Sequence, residues 1–89
     1  MYITQSERPG KRYTAIFDNG KKVHFGSKGS QTYIEHMDKT KRENYLKRHF
    51  KRENWDNPYT AGALSRWILW GDSGNINKNL IDFKKRFGL

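Results

Sequence analysis

RYTAIFDNGKKVHFG, residues 12–26, reads as two strands joined by a tight turn. Arg12 to Asp18 and Lys21 to Gly26 each alternate and are rich in strand formers, and Asn19-Gly20 lies between them. Both residues of an Asn-Gly pair accept the positive φ that a type I′ turn needs, which makes the pair the strongest short-range hairpin signal. A two-residue loop sets Ile16 opposite Val23 and Thr14 opposite Phe25. The expected core face carries Ile16, Val23 and Phe25; the other carries Tyr13, Ala15, Phe17 and His24. A lone hairpin is only marginally stable, so Tyr2–Thr4 or Thr32–Ile34 is expected to add a third strand.

Helices follow. DKTKRENYLKRHFKRENW, residues 38–55, predicts one helix over about 38–52. Asp38 is a good N-cap, and Tyr45, Leu46, His49 and Phe50 recur at helical spacing as a core stripe. Lys39, Lys41, Arg42, Lys47, Arg48 and Lys51, followed by Arg52, leave the outer side basic, against Asp38, Glu43 and Glu53. Pro58 blocks a continuous helix. Thr60 caps a second helix over about 61–70, with Leu64, Trp67, Ile68 and Leu69 inward and Gly71 as the C′ residue. Asp72-Ser73-Gly74 is a turn. A last helix over about 75–87 places Ile76, Leu80, Phe83 and Phe87 on one stripe, with Lys84, Lys85 and Arg86 in its final turn and Gly88 at its end. The class is therefore α+β: an N-terminal β-hairpin or small antiparallel sheet followed by three short helices, in a single domain over residues 1–89.

The composition sets the functional range. Eighteen Lys and Arg against nine Asp and Glu give a net charge of +9, a bias that points to a polyanionic partner. Three Trp, five Tyr and five Phe argue against a disordered basic tail. The absence of cysteine removes disulfides and thiolate metal sites. MYITQSERPGKRYT lacks a secretory signal's apolar core, and no run reaches membrane-spanning length. A soluble intracellular protein without a transmembrane segment is expected.

The basic helix is the main functional candidate. Lys41, Arg48 and Arg52 fall near one face, with Lys47 and Lys51 beside it, and such a row suits phosphates or carboxylates. A charge run is usually a solvated helix face, but this one has too little acid to neutralise itself. Lys22, beside Tyr13, Phe17 and His24, would join a base-stacking platform if that hairpin face were open; covering by a neighbouring element is the expectation. Gly26-Ser27-Lys28-Gly29-Ser30 has the glycines that let amides approach a phosphate, but it lacks the P-loop pattern and reads as a loop. Trp70, at a helix end, is either core or a partner anchor, and Trp55 is expected to pack on the second helix. His24, His36 and His49 lack paired metal-ligand spacing, so no metal or cofactor is expected. No nucleophile motif is present, and an enzyme would need Glu35, His36, Glu43 and Asp82 to cluster. The last two helices suggest a helix-turn-helix, but the last helix carries its basic residues at its C-terminal end, whereas a recognition helix reads bases from its N-terminal half.

Several phrases combine in order: Lys22-Val23-His24-Phe25-Gly26, Arg48-His49, Arg52-Glu53-Asn54-Trp55, Ala61-Gly62, Ser65-Arg66-Trp67 with Leu69-Trp70, and Lys85-Arg86-Phe87-Gly88. Together they resemble a family of small basic proteins of large nucleocytoplasmic DNA viruses, those of algae and amoebae. The resemblance spans about Arg12 to Gly88 and leaves Met1 to Lys11 outside. It implies no catalytic residues, and it implies a viral product made in host cytoplasm and packaged in the virion. The resulting expectation is a non-enzymatic virion structural protein, a minor capsid or cement component. It would dock on acidic capsid surfaces through Lys41, Lys47, Arg48, Lys51 and Arg52, with no small-molecule substrate. The alternative is a sequence-nonspecific nucleic-acid-binding protein that coats or condenses the genome.

Overall fold

In a computed structural model covering residues 1–89, three antiparallel strands precede four helices. The strands are β1 (Tyr2–Gln5), β2 (Lys11–Ile16) and β3 (Lys22–Ser27), in the order β1-β2-β3. The helices are α1 (Tyr33–His36), α2 (Lys39–His49), α3 (Ala61–Leu64) and α4 (Ile76–Phe87), and α3 runs on as a π-helical segment, Ser65–Leu69. The architecture is α+β, with the third strand supplied by the N-terminus and not by Thr32–Ile34, which opens α1.

The hairpin forms where expected, but one residue out of the expected register. Tyr13 faces Phe25, Thr14 faces His24, and Ala15 faces Val23. The Phe17 amide donates to Lys21 O at 2.9 Å and the Gly20 amide to Phe17 O at 2.9 Å, so the loop is Asp18-Asn19-Gly20. Only Gly20 has positive φ there, +86°, and Asn19 does not. This is a type I turn closed by a left-handed glycine, the usual three-residue hairpin loop. Because side chains alternate, the one-residue slip re-sorts the faces. Ala15, Phe17 and Phe25 are buried, with Tyr13 and Val23 packed beside them, whereas Ile16 falls outside the core cluster. On the opposite face the Ser6 and Thr14 hydroxyls lie 2.8 and 2.9 Å from His24 Nδ1.

The helices close over the sheet through Leu64, Ile68 and Leu69, which are fully buried, and through Phe83. Thr60 caps α3 as expected, accepting from the Ala63 amide at 3.1 Å. At the end of the π-helical segment the Trp70 amide reaches back to Ser65 O at 2.9 Å. The turn into α4 is held by Asn79, which is 1 % exposed and therefore needs internal partners. Its amide donates to Ile68 O at 2.9 Å and Ser73 O at 2.7 Å, while its carbonyl accepts from the Ser73 amide at 3.2 Å. Gly71 sits against this network without a positive φ, so it is not the left-handed cap expected there. Its role is space: a Cβ would collide with the Trp67 carbonyl and the Asn79 side chain. Gly88, by contrast, caps α4 with φ +66°.

One ion pair ties α2 to this frame and another ties α1 to the sheet. Arg42 Nε donates to Trp70 O and Gly71 O at 3.2 and 3.0 Å, and its guanidinium meets Asp72 at 2.8 Å. Arg12 meets Glu35 at 2.8 Å, joining β2 to α1. Burial raises the Glu35 carboxyl, but Arg12 together with the Thr32 amide and hydroxyl outweighs it and holds the group below the ordinary carboxylate range. No helix is long and apolar enough to cross a membrane.

Candidate docking surface

The outer side of α2 is positioned by its inner side. Asp38 caps the helix as the sequence indicates, accepting from the Thr40 and Lys41 amides at 2.9 and 3.2 Å. Tyr45 is buried and stacks on Trp70, with rings 4.2 Å apart and 5° from parallel. His49 stacks on the other side of Tyr45 at 4.3 Å and pairs with Glu53. Burial pushes the Tyr45 phenol well above its ordinary range, with Glu53 adding to it. Trp70 is thus core, only 9 % exposed, which removes it from the role of partner anchor.

This packing sends the cations two ways. Lys41 and Arg48 line a polar cleft of about 920 Å³ between α2, the loop after β3 and α3. Lys47 and Lys51 flank a separate, mostly apolar notch formed with Leu46, Phe50 and Trp55. Arg52 is exposed beyond the end of α2. Lys22 lies on β3 opposite Ile16, on the sheet face that also carries His24 and away from the core face. A base platform of Lys22 with Tyr13 and Phe17 is therefore not formed, because Phe17 is buried on the other face. Lys41, Lys47, Arg48, Lys51 and Arg52 make no ion pair, although other cations of the chain do.

Phe50 is the main departure from the expected stripe. It stands 67 % exposed, because α2 ends at His49 and the chain turns away before a further face can be buried. Its ring meets Trp55 edge-on at 5.8 Å. Trp55 does pack on the second helical element, as expected: Trp67 Nε1 donates to Trp55 O at 2.9 Å. The Arg66 guanidinium lies 5.2 Å over the Trp55 ring and 4.1 Å over Trp67, and Arg86 lies 3.7 Å over Trp67. Burial, with Arg42 and Arg86 near, lowers the Arg66 guanidinium from its ordinary value. Glu35 is paired with Arg12, His36 accepts from the Asp38 amide, and Glu43 and Asp82 are exposed on different helices. No group of three His, Asp or Glu side chains is arranged to hold a metal ion.

These features define a small basic α+β domain with an unpaired cationic helix surface. Residues 1–49 match the model of a family of unknown function, DUF5754, and the chain belongs to that family. The match spans the sheet, α1 and all of α2, and stops before Phe50 and Trp55. Searches of curated proteins and of solved structures returned no match.

Proposed function

We propose that this is a non-enzymatic docking protein that engages an acidic protein surface through α2, as a minor capsid or cement component of a large DNA virus. The observation that carries the docking is the notch: an exposed aromatic, Phe50, beside half-buried Leu46 and Trp55, between Lys47 and Lys51. An apolar anchor ringed by cations complements a partner that presents an apolar side chain among carboxylates. A phosphate backbone supplies charge but nothing to fill the notch. Arg66 already lies over one face of the Trp55 ring, which leaves less of it for a stacked base. The resemblance to small basic viral proteins supports the virion as the setting, with host cytoplasm as the place of assembly.

The second reading, a sequence-nonspecific coat on the genome, is supported by the unpaired cations taken without the notch. A salt titration of binding to random duplex and single-stranded DNA, run beside the triple variant Arg48→Glu, Lys51→Glu, Arg52→Glu, separates the two. The docking reading expects negligible DNA binding near physiological salt. It also expects quantitative mass spectrometry to find the protein near shell stoichiometry in particles of the virus that encodes it. Steep salt-dependent DNA binding abolished by the triple variant would transfer the assignment to the genome. Absence from the particles would sink the capsid role.

A further inference from the structure

The notch leaves the larger polar cleft unexplained. Lys11 from β2 and Lys41 and Arg48 from α2 all line it, and none of the three is ion-paired. Its one carboxylate, Glu53, is engaged by His49 and by Trp55 Nε1. The remaining walls are rich in donors, including Ser27, Ser30, Gln31 and Asn44. The loop between β3 and α1 turns through Gly29 at φ +84°, and the Gly29 and Gln31 amides donate to no backbone carbonyl. The loop lacks a P-loop pattern, and what matters is its placement: the fold sets it across the cleft from the cationic side of α2.

We infer that this cleft binds a compact polyphosphate, by its phosphate groups. Three like charges lining one concavity repel each other in the free protein, and a multivalent oxyanion relieves that repulsion. The Arg48 fork suits phosphate oxygens, and the two lysines add point charges. The volume of about 920 Å³ is that of a small-molecule site. Tyr45 stacks with both Trp70 and His49, and both Tyr45 and Trp70 are buried, so neither offers a free face for a base. Phosphate recognition is therefore the selective element. This inference is independent of the docking role, because Lys47 and Lys51 do not line the cleft.

The test is thermal unfolding and calorimetric titration with tripolyphosphate and with ATP, against sodium chloride at matched ionic strength. Tripolyphosphate should raise Tm by several degrees, and ATP should bind within a few-fold of it. Lys41→Gln with Arg48→Gln should weaken binding at least tenfold, whereas Lys47→Gln with Lys51→Gln should leave it unchanged. All four side chains are exposed, and circular dichroism verifies each variant's fold. No shift beyond the salt control would overturn the inference, as would a shift that survives the first pair and is lost in the second. ATP binding more than tenfold tighter than tripolyphosphate would overturn the assignment to the phosphate chain.

Discussion

At the scale of single residues, the carboxylates differ by what they meet: Glu35 and Asp72 lock arginines in place, Asp38 caps a helix, and Glu53 fastens His49 and Trp55. Glu35 carries a pH consequence. Its folded-state pKa lies below the unfolded value, so its stabilisation is present above about pH 4.3 and is lost as pH falls through the folded value. Glu35→Gln retains an acceptor for the Thr32 amide but removes the charge facing Arg12. Thermal unfolding followed from pH 7 to pH 3 should therefore show a lower Tm for the variant at neutral pH and a shallower acid decline than wild type. Parallel declines would mean that the pair contributes nothing to acid sensitivity. Asn79 shows what a linear reading misses. It lies on the inward face of α4, three residues after Ile76 and four before Phe83, but is polar; it is among the most buried side chains because two carbonyls and an amide need it.

At the scale of elements, local signals placed the pieces well. Asp38 and Thr60 occupy the N-cap positions read for them, Asn75, read as the start of the last helix, is its N-cap, and Gly88 takes the left-handed position after α4. Capping depends on side chains a few residues away, which is why such boundaries are readable. The hairpin shows the limit of that logic. Asn19-Gly20 marks the turn correctly, but the pair admits two loop lengths, and burial chose between them. The observed register puts Ala15, Phe17 and Phe25 inward together, which the type I′ loop does not. Either loop needs a left-handed Gly20, and it faces open space; the three-residue loop spares Asn19 a positive φ. Gly20→Ala should therefore destabilise by about 1 kcal/mol through backbone strain alone, read as a lower urea midpoint at unchanged slope. A midpoint equal to wild type would mean that the loop relaxes freely.

At the scale of the whole molecule, the basic surface divides between two neighbouring sites, and that division has a stability consequence. Arg12, Arg42 and Arg66 serve the fold, whereas Lys41 and Arg48 face the cleft and Lys47 and Lys51 the notch. Removing charge from the cleft should relieve repulsion. Lys41→Gln with Arg48→Gln is expected to raise the stability of the free protein by up to about 0.5 kcal/mol at low salt, with the gain vanishing as chloride is added. Denaturant unfolding at two ionic strengths checks this, and a loss of stability at low salt would show that those side chains support the fold. From the sequence alone came the α+β class, the place of the turn, the caps at Asp38, Thr60 and Gly88, the stripe of α4 and the charge of α2, because each rests on neighbours within one or two helical turns. The hairpin register, the burial of Trp70, the exposure of Phe50 and the separation of cleft from notch came only from tertiary structure. Those depend on which element lies across from which, and that is set by the joint packing of sheet and helices around one small core.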